Sequence, residues 1–243
     1  MKRLLAIVAL AALAVAGQVM LAVRRPVKSP SMEEGVFAAL GGLRSVVSEV
    51  IWFRADRLQE EGRYVELAQL ANALALAEPH TPEIWSYAAW NLAYNVSVMM
   101  PTPEDRWRWV QSAIHLLRDR GLRFNPGSAE LHRELAWMFE LKIGTDLDAA
   151  SPLYREKWKS LVGDVEARGA WEELGMEPML MTEVEGRYGV TDRTDAQYSA
   201  IYWAHRGLRH ARANERGALV SIIRQARMIY AKQRAAAGKV PHG

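Results

Sequence analysis

The strongest constraint on this chain is that it repeats itself. Pro79-His80-Thr81-Pro82-Glu83-Ile84 and Pro126-Gly127-Ser128-Ala129-Glu130-Leu131 share one pattern: proline, any residue, a hydroxyl, a small residue, glutamate, an aliphatic. Each then reaches Ala-Trp at the same distance, as Ala89-Trp90 and Ala136-Trp137, so the offset is 47 residues throughout. The hydroxyl stands where a helix needs a cap, and the glutamate follows where the positive helix end favours an acid. A weaker third copy runs from Ala196 to Trp203. A recurring helix pair cannot bury its apolar face alone, so successive pairs must stack.

The punctuation agrees with helices throughout. Thr81-Pro82-Glu83 and Thr102-Pro103-Glu104 each put a cap, a first-turn proline and an acid together. They predict helices to about Met99 and to Arg120, with Glu104 and Arg108 able to pair on an exposed face. Ser128 opens a helix to Ile143, and Ser151-Pro152 opens one to about Arg168, where Asp164 and Arg168 are four apart. Upstream, Ser31 and Glu34 have capping-box spacing, Gly41-Gly42 forms a break, and a helix from Leu43 to Glu61 precedes one from Tyr64 to Ala77. Trp171 to Gly189, rich in Gly, Met and Glu, reads as an irregular connection. Two last helices span roughly Asp192 to Arg212 and Glu215 to Ala237. No alternation of period two occurs. The fold class expected is all-α, with about eight helices in a right-handed array of pairs.

The stretch Glu61-Gly62-Arg63-Tyr64-Val65-Glu66-Leu67, running to Glu78-Pro79, resembles the second half of a tetratricopeptide repeat, a motif of about 34 residues. The resemblance runs without gaps from Ser48 to Thr81. It extends to the first helices of the next two pairs and loosens beyond Gly144. It implies that Gly62 lies in the turn between helices, with Tyr64 just after it. Ile51, Ala55 and Leu58 would pack from the first helix, and Leu67 and Leu74 from the second. Trp90-Asn91-Leu92-Ala93-Tyr94-Asn95 is also similar to bacterial membrane-anchored repeat proteins of unassigned role.

The N-terminus has a different solvent in view. Leu4 to Val23 holds 20 residues with no charge, flanked by Lys2 and Arg3 and by Arg24, Arg25 and Lys28. At helical rise that run is about 30 Å, the thickness of a bilayer core. Two readings stand: a single transmembrane anchor, or a signal peptide cut after Ala14-Val15-Ala16. The continuous run favours the anchor. The domain organisation expected is residues 1–25 anchor, 26–34 linker, 35–170 repeats, 171–191 irregular connection and 192–243 a basic helical pair capping the array. The expected location is a bacterial inner membrane, with the soluble domain on the periplasmic side.

Charge is divided along the chain. Up to Glu185 there are 20 Lys/Arg against 25 Asp/Glu, a balance of −5; beyond it there are 11 against 3, a balance of +8. Arg206, Arg209, Arg212, Arg224, Arg227 and Arg234 form the expected basic surface, either a solvated helix face or a contact for anionic lipid or an acidic partner. Nucleic acid is an unlikely partner, since no helix-turn-helix, zinc-finger or RNA-binding signature is present. There is no Cys, and the six His show neither His-x-x-x-His nor His-Glu-x-x-His. His132, between Glu130 and Glu134, reads as surface decoration. No cofactor and no catalytic residues are expected.

The tetratricopeptide resemblance implies which residues face the concave groove. They are Glu49, Trp52, Asp56 and Gln59 in the first pair, Ser86, Trp90 and Tyr94 in the second, and Arg133, Trp137 and Glu140 in the third. Three Trp on one wall suit an anchoring groove for a protein partner. The competing expectation is that these Trp are core, covered by the Pro101 connection or the C-terminal helices. Of Trp107 and Trp109, two apart, one should face outward. The function expected is a membrane-anchored, non-enzymatic scaffold or assembly factor. The alternatives are a structural subunit of a larger membrane complex and an unrecognised enzyme or small-ligand-binding protein.

Overall fold

Every polypeptide segment between Tyr64 and Ala237 that carries a start signal forms a helix. The structure, a computed structural model, describes residues 54, 57, 58 and 60–237. The apolar run Leu4 to Val23, the Ser31 cap and the start of the Leu43 helix lie outside the described residues. The chain divides into Met1–Arg57 and Leu58–Gly243, and helices α1 to α8 all belong to the second unit. Among the described residues there is no strand, and no helix is long and apolar enough to cross a membrane.

Eight α-helices succeed one another among the described residues. Helix α1 is Tyr64–Ala77. Helix α2 is one rod made of Pro82–Trp90, a π-helical turn Asn91–Val96 and Ser97–Met99. Helix α3 joins Pro103–His115, a π turn Leu116–Gly121 and Leu122–Phe124. Helix α4 joins Ala129–Trp137 and a π turn Met138–Ile143. Then come α5 (Ser151–Arg168), a 3-10 turn Trp171–Leu174, α6 (Pro178–Tyr188), α7 (Ala196–Leu208) and α8 (Ala213–Ala237).

The local causes are visible. Gly62 takes φ +68°, a left-handed conformation costly for a residue with Cβ, and turns the chain into α1. Thr102 Oγ1 accepts from Asp105 N at 3.1 Å and Ser128 Oγ accepts from Leu131 N at 3.2 Å, so both act as caps. Asp195 caps α7 by accepting from Gln197 N at 2.8 Å. Thr81 does not cap; its hydroxyl donates to Glu78 Oε2 at 3.4 Å, and Pro82 at the first turn starts α2 instead. On α1 the buried residues Leu67, Ala68, Ala71 and Ala75 form a stripe at helical spacing against α2.

The 47-residue repeat is a structural repeat down to its irregularity. Pro82–Trp90 and Ala129–Trp137 are regular, and each then passes into a π turn, Asn91–Val96 or Met138–Ile143. All four boundaries are 47 residues apart. A π turn holds one extra residue, which rotates the downstream helix by about 100° relative to an unbroken one. It also loosens the carbonyl ladder, and side-chain amides repair it. Asn91 Nδ2 donates to Tyr87 O at 3.1 Å, and Gln197 Nε2 donates to Glu140 O at 3.0 Å.

Two expectations change. Residues 171–189 are not an irregular connection, because they hold the 3-10 turn and α6. Leu180, Met181 and Val184 of α6 are buried, and the Glu177 amide at its start donates to Tyr202 Oη at 2.9 Å. The C-terminal pair is also unequal. Helix α7 is buried nearly all round, including Tyr198, Tyr202 and Trp203, and packs against α4, α6 and α8. Helix α8 covers it with Leu219, Ile222, Ile223, Ala226 and Tyr230.

Beneath α4 lies a buried ionic hub. Lys142, 2% exposed, donates from Nζ to Asp148 Oδ2 at 2.7 Å. Arg106 on α3 donates to Asp148 Oδ1 at 3.2 Å, the Ala150 amide to the same oxygen at 2.9 Å, and Tyr154 Oη to Oδ2 at 3.1 Å. Burial by itself would raise the Asp148 carboxyl. The bonds from Lys142 and Ala150, with the Lys142 charge, outweigh it and bring the carboxyl down to about 2. Removing one partner of such a pair costs about 3–5 kcal/mol, because an unpaired charge stays buried. We expect Asp148→Asn to lose stability of that order in urea unfolding at pH 7. In the wild type the carboxyl's contribution is present above the ordinary value near 3.8 and lost as pH falls from there through about 2.

Gly207 marks the closest approach of α7 to its neighbours. A Cβ there would stand 2.9 Å from His132 Cβ on α4 and 3.1 Å from Leu219 Cδ2 on α8. The His132 Cβ is fixed to its backbone and the Leu219 methyls are packed in the core, so Gly207→Ala should push α4 and α7 apart. The expected cost is about 1–3 kcal/mol, read as a lowered thermal midpoint by circular dichroism.

Candidate functional site

The rotation at the π turns decides what the inner face of α2 and α4 presents. Ser86, Trp90 and Tyr94 come from α2, and Arg133, Trp137 and Glu140 from α4; the two helices pack together. The structure links their aromatic members in a row. Trp90 stacks on Tyr94 with centroids 5.8 Å apart and planes at 27°, and Tyr94 reaches Trp137 at 6.5 Å and 38°. Trp90 and Trp137 are 38% and 39% exposed. They are neither core nor covered, which settles the competing expectation for these two. Glu49, Trp52, Asp56 and Gln59 lie outside the described residues.

The remaining members differ in situation. Ser86 is half-buried beside Glu130, whose carboxyl burial raises and Ser86 lowers, with a net rise. Arg133 is half-buried and donates to the neighbouring Glu134 Oε1 at 2.8 Å, so its charge is locally matched. Glu140 is 1% exposed, and its Oε1 has no hydrogen-bond partner. Burial pushes its carboxyl up to about 7, and none of the hub's cations opposes that shift. Tyr94 Oη is likewise buried without a partner, and its phenol is pushed up by burial first, then by the charges of Glu134 and Glu140.

Glu140 has no architectural reason to be acidic. Its counterpart 47 residues earlier is Ala93, which is fully buried in the same slot. The partner of Tyr94 under the same offset is Leu141. The two copies therefore share a backbone and a Trp, and differ where the wall gains its chemistry. From behind, Lys142 Nζ lies 5.3 Å from the Tyr94 ring and 5.9 Å from the Tyr154 ring, so the hub props the wall.

Elsewhere the polar residues serve packing. His132 is not surface decoration: it is 1% exposed, its Nδ1 lies 2.7 Å from Ser128 O, and it packs on Trp203 and His210 at 5.9 and 5.7 Å. Burial lowers its ring to about 4. His205 is buried between Tyr188 Oη at 2.9 Å and Glu183 Oε1 at 3.0 Å. Trp107 is buried and Trp109 half-exposed. Arg108 pairs with Asp105 rather than Glu104, and Arg168 pairs with Glu173, meeting Asp164 only at its carbonyl.

The basic residues do not form one free patch. Arg206 donates to Gly175 O at 2.7 Å, pairs with Glu177 at 2.7 Å and lies over Trp203. Arg227 donates to Tyr188 O at 3.1 Å, and Arg234 pairs with Asp192 at 3.1 Å. Arg209, Arg212 and Arg224 are exposed. Among the described residues no group of three His, Asp or Glu is placed to hold a metal ion. No family model, curated protein or solved structure matches this chain.

Glu140 leaves a measurable signature. Its folded value of about 7 stands above the ordinary 4.5, so the fold holds this proton more tightly than the unfolded chain does. Its protonated form fits the fold fully below pH 4.5, and stability is lost as pH rises from there through about 7. The loss is on the order of 3 kcal/mol. Glu140→Gln should therefore raise the thermal midpoint at pH 8 and leave it nearly unchanged at pH 4. Equal midpoints for the two proteins at pH 8 would contradict the assignment.

Proposed function

We propose that this chain is a scaffold of tetratricopeptide-like helix pairs, tethered to a membrane through Leu4 to Val23, which grips a protein partner on the wall of Trp90, Tyr94 and Trp137. The observation that carries this reading is the pair of half-exposed Trp side chains contributed by two helices and joined through one Tyr. Large rigid aromatics standing open at the centre of a surface bind at little entropic cost and dominate interface energetics. Helix pairs recurring at 47 residues supply the stacked framework on which repeat proteins carry such surfaces. The reading is non-enzymatic: the wall offers contact area and charge, and His132 of the same helix α4 is packed away under α7.

The test uses the full chain in detergent. A photoreactive phenylalanine analogue at position 137 should crosslink one partner in stoichiometric yield, identified by mass spectrometry. Trp90→Ala with Trp137→Ala should reduce recovery of that partner about a hundredfold, since interface aromatics cost about 2 kcal/mol or more each, non-additively. Undiminished recovery by the double variant would remove the wall from the interface.

A further inference from the structure

We propose that the wall receives a cationic side chain, the ammonium of a lysine or the guanidinium of an arginine, carried by a basic segment of the protein partner. This deepens the scaffold reading and rests on it. The geometry is that of a cation site with one component missing. Two Trp faces and a Tyr ring present negative π density on one side of the packed helices. Of the four buried side-chain atoms without hydrogen-bond partners among the described residues, Glu140 Oε1, Tyr94 Oη and Ser86 Oγ belong to the expected wall, and Gln197 Oε1 lies on α7.

Each orphaned atom has a definite chemical requirement. A buried carboxylate oxygen needs a donor, and a charged donor satisfies it best. The cations nearby are already committed: Lys142 and Arg106 to Asp148, and Arg133 to Glu134. An acidic or apolar residue entering the wall would leave Glu140 unpaired, in the first case against a like charge. A lysine or arginine satisfies the aromatic faces and the carboxylate at once.

The slot itself speaks for a ligand. In the preceding copy of the repeat the same buried position is Ala93, and the helix pair folds around it equally well. A carboxylate in that slot is therefore an addition to the architecture. Among the described copies of the repeat, it is the difference that adjoins a stacked aromatic row.

The experiment titrates full-length protein in detergent with two acetylated, amidated peptides, Ala-Ala-Lys-Ala-Ala-Lys-Ala-Ala and the same sequence with Glu for Lys, following tryptophan fluorescence. The lysine peptide should bind and the glutamate peptide should not. Glu140→Gln, which the fold tolerates at neutral pH, should weaken the lysine peptide at least tenfold. Trp137→Ala should do the same. Glu156→Gln on the exposed face of α5 controls for diffuse charge and should change binding less than twofold. If Glu140→Gln binds the lysine peptide as tightly as wild type, or if both peptides bind alike, the cationic occupant is overturned. Loss of binding in Trp137→Ala would then still leave the wall as a docking surface. If neither peptide binds at millimolar concentration, the cation site is overturned. If the lysine peptide binds but Trp90→Ala and Trp137→Ala leave it unchanged, the wall reading falls as well.

Discussion

An ammonium group in a protein interior is tolerated only where a carboxylate meets it, and Lys142 at 2% exposure sets that condition for the centre of this molecule. Asp148 meets it, and in doing so it cannot sit anywhere else. The turn between α4 and α5 must bring Asp148 back over α4, six residues after Lys142, with Ser151 Oγ donating to Lys142 O at 3.2 Å and accepting from Asp148 N at 3.2 Å. Arg106 then ties α3 to the same carboxylate across 42 residues of sequence. The pair also fixes the far side of the wall, since the Lys142 ammonium lies against the Tyr94 ring. Helix register, the α4–α5 turn and the aromatic row are consequences of one charge needing its partner.

Helix α7 imposes a second condition. A helix surrounded by other helices must find partners for most of the polar groups it carries, and on this one Gln197 Oε1 is left without one. Ser199 accepts from Trp158 Nε1 at 3.1 Å, Tyr202 accepts from the Glu177 amide, and Tyr198 donates to Glu185 at 3.2 Å. Gln197 donates to the Glu140 carbonyl inside the π turn. That last bond means α7 helps to hold open the irregular turn that places Glu140. Core and wall are thus joined through a backbone carbonyl rather than through side-chain packing alone.

The helices of the repeats are legible in the sequence because their signals are local. Caps at Thr102 and Ser128, the prolines at 82 and 103, and the bounds Tyr64–Ala77 and Ser151–Arg168 depend on residues within a turn of each end. Helix α6 is not legible, because Glu177 makes no side-chain cap and only Leu180, Met181 and Val184 face inward. His132 misleads because its burial comes from Trp203 and His210, more than seventy residues away. The aromatic row is legible, since Trp90 and Trp137 precede the π turns and keep ordinary helical register. The burial of Glu140 is not, because nothing in the pattern announces a π turn and an acid at a helical position reads as exposed.

Both copies carry the same π turn, and it is the side chains set in it that make the two copies differ. Just before the π turn both copies carry Ala-Trp, Ala89-Trp90 and Ala136-Trp137. Within it the slots hold Ala93 and Tyr94 in one, Glu140 and Leu141 in the other. A single aromatic and a single carboxylate, each from a different copy, then converge between packed helices. The wall is a property of the pair, since neither helix alone holds both the Tyr and the acid. The acid weakens the fold at neutral pH, where a buried alanine would not. Stability given up at a buried position behind a surface is a familiar feature of sites made for binding, where strain or an unpaired group awaits a ligand. Here the unpaired group is anionic, it adjoins open indole faces, and the nearby cations Lys142, Arg106 and Arg133 are engaged elsewhere. The chemistry that would relieve it is narrow, and it belongs to the partner rather than to this chain.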